Sequence, residues 1–444
     1  MINSRKHWTK RVVPVLLLIL IVSATSVAAY AAEKVPTIPF PTENITLRFT
    51  WWGNQVRHER TQTIVDLFCK IHPNVTIETE YLPGNEYNDK LLTFMVAGQT
   101  PDIFQTEYDY ISQWNDSGLV ESFEPYIEAG IINIDDCIAL DSLRHNGELY
   151  GHNLGLNGPS IMYDINLLKE NNIEINPNQP WTWDDFIRVG REVYEKTGVQ
   201  TSFHITFNMT DWLRCSARNE GLYLFNGDTA LGISDAEILR RAYKTIETAY
   251  KEGWGLPGEA YAGISSVEQQ PIVSGRSWNA SLTSNMIIGL QKAIGPDRPI
   301  GFMMIPDHAG YKESGQYLKP AMTICISSTA PEANKIAAAY FIDWMVSSAE
   351  ANEILLGERG VPCNTKVLEA LVPVVDDPTR RTFEFVNLAG KYAGPLDPKD
   401  PVWLPEMNDT SKNLAQRCYF GEIDADEAAR LWLLKAEELI SRFK

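Results

Sequence analysis

Trp51 and Trp52 close an apolar run, and Asn54, Arg57 and His58 follow within a few residues. An indole plane can stack on the C–H face of a sugar ring, and an amide, guanidinium or imidazole can bond hydroxyls or a carboxylate. A second group stands at Gln105, Glu107, Tyr108 and Asp109, which supply an amide, a phenol and two carboxylates. Flat apolar faces mixed with planar polar groups are what a neutral sugar requires. Adjacent strand residues point to opposite faces, so one of the two tryptophans must face away from the core. Core packing is the competing role for each of them. Arg57 and His58 open a helical pattern, where the helix dipole disfavours cations. Either a uronate carboxylate or a local partner such as Glu59 accounts for them.

No catalytic signature competes with this reading. GxSxG, HExxH, GxxxxGK[ST] and GxGxxG are all missing, and the seven histidines are scattered without metal-ligand spacing. No cofactor is expected and no metal ligand is assigned, and whether a metal binds stays open. A serine hydrolase or metalloprotease is thereby excluded. A glycan-processing enzyme that needs only two carboxylates is not, because acidic residues are plentiful.

The elements that must hold these groups are legible in the first hundred residues after the leader. Ile45, Leu47, Phe49 and Trp51 alternate with polar residues, which predicts a strand. Ile64, Leu67, Phe68 and Ile71 recur at helical spacing, and Val75, Ile77, Thr79 and Tyr81 alternate again. A second helical face runs from Tyr87 to Met95, and Ile103-Phe104 begins a third strand. This βαβαβ order predicts a mostly parallel α/β sheet. Ligands of such sheets bind beyond the carboxyl ends of the strands. That rule selects residues 51–54, 84–86 and 105–110. Further on, 147–163 is extended and Gly-rich, 317–327 predicts a strand, and 183–196, 234–250, 331–347 and 425–443 are helical.

Residues 1–31 have the order of a secretory signal peptide. Arg5, Lys6, Lys10 and Arg11 precede an apolar run broken only by Pro14, and Ala29-Tyr30-Ala31 offers a cleavage site. The run is short for a membrane span, though a retained N-terminal anchor stays open. Residues 32–43 carry three prolines and predict a linker. The remaining length exceeds one hydrophobic core, so two lobes are expected. A net charge of −18 argues against nucleic acid and anionic lipid as partners. The six cysteines have long, irregular spacings and no CxxC, and free, buried thiols are expected.

Several stretches resemble one family. ITLRFTWWGNQVRHERTQTIVDLFCKIHPNVTIETEY, KLLTFMVAGQTPDIFQTEYDYISQWNDSGLVESFEPYI, GLNGPSIMYDINLLKE, PWTWDDFI and PEANKIAAAYFIDWMVSSAEANEILLGERGVPCN occur in this order. Together they are similar to the extracellular solute-binding proteins (family 1, maltose-binding-protein-like) of bacterial carbohydrate ABC transporters. The double Trp with Arg-His behind it looks closest to members that take up plant cell-wall oligosaccharides.

The resemblance implies an α/β, periplasmic-binding-protein-like type II fold, with two lobes, a hinge and an interlobe cleft. The implied lobes are 44–156 plus 322–362 and 160–318 plus 366–444, joined by crossings near 157–163, 319–323 and 361–366. It implies a monomeric, exported receptor in the periplasm or on the outer face of the membrane. Such a receptor closes on a sugar and delivers it to ABC permease subunits without turnover. It places hydroxyl acceptors after the third strand, with Asp109 aligning best, and a hinge amide at Asn157. In the second lobe Trp212, Trp254, Trp278, Asn285 and Trp403 are candidates, with core packing preferred for any single one. Asn285 stands where an aromatic is expected. Arg359 either reaches ligand or pairs with Glu358 or Glu353. Arg57, His58, Lys319 and Arg359 together would favour an acidic oligosaccharide.

Overall fold

The computed structural model describes residues 35–443 except 83, 204–208, 262, 263, 265 and 399. The expected leader and the first residues of the expected linker lie outside the described residues. Among the described residues no helix is long and apolar enough to cross a membrane.

β1 (Ile45–Trp52), α1 (Gln55–Ile71), β2 (Val75–Leu82), α2 (Gly84–Val96) and β3 (Ile103–Thr106) follow the predicted order. β1 pairs in parallel with both β2 and β3. Its buried residues are Ile45, Leu47, Phe49 and Trp51, with Thr50 from the other parity beside them. A short hairpin, β4 (Arg144–His145) and β5 (Glu148–Leu149), precedes β6 (His152–Asn157) and β7 (Pro159–Asp164). The last strands are β8 (Asn279–Thr283), β9 (Ile300–Met303) and β10 (Lys319–Ile326).

The first sheet has the order β2-β1-β3-β10-β6, and the second the order β8-β7-β9. β10 runs antiparallel to β3 and to β6, so the first sheet is mixed rather than wholly parallel. The chain leaves that sheet at Gly158 for β7, returns along β10, and leaves again through residues 361–364. The last of these passages is fastened by the Leu156–Val361 bridge, which bonds in both directions.

Gly155 permits this close approach, because a Cβ there would collide with the carbonyl of Arg359. Gly360 opposite has φ +113°, a conformation that other residues rarely adopt. One apolar cluster fills the first lobe around Phe49, Phe68, Phe104 and Phe341. A second fills the far lobe around Phe186, Trp212, Tyr243 and Trp432. A third lies around Leu156, Met162, Phe302, Val361 and Phe385, between the second sheet and the last crossing.

The stretch before β1 is irregular but fastened. Thr37 N donates to Ala129 O, Tyr340 Oη donates to Ile38 O, and Phe40 stacks on His72 at 4.0 Å. All six cysteines are unpaired, four of them buried.

Candidate binding cleft

β1 delivers its two terminal tryptophans to opposite faces. Trp51 is fully buried, lies 4.7 Å from Phe49, and donates from Nε1 to His58 Nδ1 at 3.1 Å. It is a core residue, and its expected stacking role is corrected. Trp52 is half-buried, with its ring centroid 5.1 Å from that of Tyr87. Asn54 is the N-cap of α1, and its Oδ1 accepts from Arg57 N at 2.9 Å. Its carboxamide oxygen therefore serves the helix. His58 is buried, stacks on Tyr81 at 3.9 Å, and accepts from Trp51. It belongs to the packing behind the cleft, which corrects its assignment as a ligand group.

Burial first, then the Arg57 and Arg359 charges, hold His58 below the usual histidine pKa, against opposing contributions from Gly53 and Glu358. A depressed pKa means that its stabilisation is complete above the unfolded value, about 6.5, and is lost as pH falls through the folded value. His58→Gln is therefore expected to cost stability at pH 7.5 and progressively less toward pH 5, measured by urea denaturation at each pH. A cost independent of pH would count against this assignment.

Arg57, Gln105, Glu358 and Arg359 form one network. Arg57 Nε lies 2.6 Å from Glu358 Oε2, with both side chains about nine-tenths buried. Arg359 Nε donates to Gln105 Oε1 at 2.9 Å, and Nη2 donates to Thr61 Oγ1 at 2.8 Å. Gln105 Nε2 donates to Trp52 O at 3.3 Å, so this amide is spent inside the protein, and its expected contact with ligand is corrected. Arg359 joins the crossing at 361–364 to α1 and β3. Burial, then the Arg57 charge, push its pKa down to about 9, against the pull of Glu358. The guanidinium stays protonated at neutral pH.

This network borders a hollow of about 580 Å³, within the usual size range of small-ligand sites. Arg57, Asn157, Asn285, Met322, Thr379 and Phe383 are among its lining residues. Asn157 Oδ1 is buried with no hydrogen-bond partner, and Asn285 is exposed. A second hollow of about 180 Å³ is lined by Tyr108, Asp211, Arg214, Tyr317, Lys319 and Asp397, among others. Asn157 and Lys319 are register partners in the β6–β10 ladder, so both hollows abut the same hinge strands.

Glu107 is exposed, and Tyr108 is half-buried and lines the second hollow. Asp109 lies in the turn Tyr108–Tyr110, and its side chain is outside the description. Arg214 bonds Asp397 at 3.2 Å and also pairs with Asp400. Burial raises the pKa of Asp211, opposed chiefly by Arg214 and Lys319.

The far-lobe tryptophans all take the core role preferred for any single one of them, which corrects the assignment of Trp212 and Trp278 as ligand contacts. Trp212 sits edge-on to Trp183 at 4.8 Å, and Trp278 Nε1 donates to Thr201 Oγ1 at 2.8 Å. Trp254 donates to Glu252 and Trp403 to Asp228 O. All four are at most 3% exposed. On the helix Met209–Arg218, Asp211 and Arg214 line the hollow beside the buried Trp212. The sequence reading chose the aromatic and missed its neighbours. Their acid-and-base spacing of three residues was the only signal.

A family model described as bacterial extracellular solute-binding protein matches residues 63–382. The lactose-binding protein of Rhizobium radiobacter is 27% identical over 181 residues, 39% of this chain and 42% of that protein. The arabinooligosaccharide-binding protein of Bacillus subtilis (strain 168) is 25% identical over 274 residues, 57% of this chain and 60% of that protein. The chain thus spans less than two thirds of these curated relatives. A solved extracellular solute-binding protein family 1 structure from Alicyclobacillus acidocaldarius subsp. acidocaldarius DSM 446 has a TM-score of 0.81 and 26% identity, covering 90% of this chain and 99% of that one.

Proposed function

The chain belongs to the bacterial extracellular solute-binding proteins, and on that premise we propose that it captures a sugar or oligosaccharide outside the cytoplasmic membrane. It hands the sugar unchanged to an ABC importer after cleft closure. The observation that carries this reading is the hinge amide: Asn157 Oδ1 is buried, unpartnered and part of the lining of the larger hollow. A buried acceptor without a donor costs about 1–3 kcal/mol, and a ligand hydroxyl would satisfy it. The half-buried Trp52 is the indole proposed to stack on the ring, and Asn285 is proposed to meet the sugar from the far lobe. Lobes of 44–156 plus 322–362 and 160–318 plus 366–444 would move about the β6–β10 ladder.

A neutral sugar is favoured over an acidic one. Arg57 already pairs with Glu358, Arg359 with Gln105 and Thr61, and His58 with Trp51. Lys319 faces a hollow that also holds Asp211, Asp397 and Asp400. Thermal denaturation with lactose, arabino- and malto-oligosaccharides and oligogalacturonides tests the proposal. Neutral glycans are expected to raise Tm by mass action, and the recovered sugar should be intact. Stabilisation by oligogalacturonides alone would reverse the choice. No stabilisation by any glycan, or new reducing ends, would refute the receptor reading.

Asn157→Leu separates binding from folding. Removing an unpartnered buried acceptor should leave stability unchanged or slightly raised, while sugar affinity falls about tenfold, the worth of one hydrogen bond. Calorimetric titration of the variant measures the affinity, and an unchanged Kd would remove Asn157 from the site.

A further inference from the structure

Three side chains apart from the proposed sugar contacts converge behind the hinge. Cys137 lies on the irregular segment that follows the short helix Glu124–Glu128 and bridges to Asn364. His152 is the first residue of β6, and Cys363 lies on the last crossing. Ile138 N donates to Cys363 O at 3.1 Å, which holds the two cysteine segments side by side. Cys137 Sγ lies 3.6 Å from His152 Nε2, and Cys363 Sγ lies 3.7 Å from Nδ1. One donor atom from each residue lies within 4.8 Å of the others. His152 and Cys363 are 1% exposed, and Cys137 is half-buried.

We propose that Cys137, His152 and Cys363 form a zinc site. The donors fit this ion, because two thiolates and an imidazole are ligands that select a d¹⁰ metal over calcium or magnesium. The imidazole presents Nε2 to Cys137, and Cys363 would swing from its place beside Nδ1 to complete the set. The imidazole Nδ1 stands 3.1 Å from Asn153 O, which fixes the proton on Nδ1 and leaves the Nε2 lone pair toward Cys137. Without metal, Cys363 donates its S–H to the same carbonyl at 3.1 Å. Zinc would displace the thiol protons of Cys137 and Cys363 and convert both to thiolates. Three protein ligands leave the fourth tetrahedral position to water. The half-buried Cys137 gives the ion its route in. The bound ion would join the first-lobe segment, a hinge strand and the last crossing at one point.

The test uses the whole chain, reduced and stripped of metal with a chelator, then dialysed against zinc. One zinc per chain should survive gel filtration and raise Tm. Cobalt substituted for zinc should give a thiolate-to-metal charge-transfer band, which reads the ligands in the unaltered protein. Cys137→Ser and Cys363→Ser should each weaken zinc binding at least ~100-fold, since even outer-shell changes cost about 10–100-fold. Cys69→Ser, remote from the group, should change nothing. Circular dichroism checks that each variant is folded, and His152→Gln replaces a serine variant that is not. The proposal is overturned if the folded wild type retains no zinc, if cobalt gives no thiolate band, or if Cys137→Ser binds zinc as tightly. It is also overturned if the protein, handled without reductant, has lost two hydrogens in a Cys137–Cys363 disulfide and takes up no metal after reduction.

Discussion

Replacing Glu358 by alanine is expected to destabilise the protein by about 3–5 kcal/mol, the usual cost of leaving a buried charge without its partner. Glu358 pairs with Arg57 at 2.6 Å and stands 3.9 Å from Arg359 Nη1, a nitrogen that has no hydrogen-bond partner. Removing the carboxylate leaves two buried guanidinium groups facing each other. An exposed ion pair would be worth at most about 1 kcal/mol, but these side chains are only 10%, 9% and 3% exposed. Urea denaturation should therefore give a markedly lower midpoint at unchanged slope.

The control is the double replacement Arg57→Met with Glu358→Leu. Removing both charges together relieves the repulsion, so its cost should fall short of the sum of the single replacements by about 1–3 kcal/mol. A loss below ~1 kcal/mol in Glu358→Ala would mean that water reaches the pair and that the network does not hold the last crossing to α1.

Much of the first lobe was legible because its order is local. Alternation over residues 45–51 and 75–81, with helical spacing between, specifies strand, helix and strand without reference to anything distant. The insertion of β10 and β6 as antiparallel partners was not legible, because pairing across more than 150 residues leaves no local mark. The site divides in the same way. Ile45, Leu47 and Phe49 share the parity of Trp51, and a period of two assigns Trp51 to the buried face and Trp52 to the other. That inference was available, and only the direction of the core was undecided. Asn54 also carried its signal, since an Asn before an apolar periodic run is an N-cap.

Gln105 and Arg359 could not be read. Their bond joins residues 254 positions apart, and an amide at a strand end looks the same whether it faces ligand or a buried guanidinium. Cys137, His152 and Cys363 escaped for the same reason. A metal motif is recognised by short spacings, and this group is assembled by the hinge.

The second large effect distinguishes the two kinds of tryptophan. Trp278→Ala is expected to cost about 3–5 kcal/mol of stability, as for a large buried aromatic. Its ring is fully buried 5.8 Å from Phe186, and its Nε1 bonds Thr201 Oγ1, which would lose that partner. The surviving folded protein should bind sugar with unchanged affinity, because Trp278 is fully buried within the far-lobe cluster. Trp52→Ala should behave oppositely. Its half-buried ring gives up little core packing, so the stability loss should stay near 1 kcal/mol, while loss of ring stacking should weaken sugar binding about tenfold. Thermal melts and calorimetric titration on both variants read the two quantities independently. A Trp278→Ala protein that melts normally but no longer binds sugar would return that indole to the cleft. A Trp52→Ala protein with unaltered affinity would remove Trp52 from the site and leave Tyr108, which lines the second hollow, as the first-lobe aromatic to test.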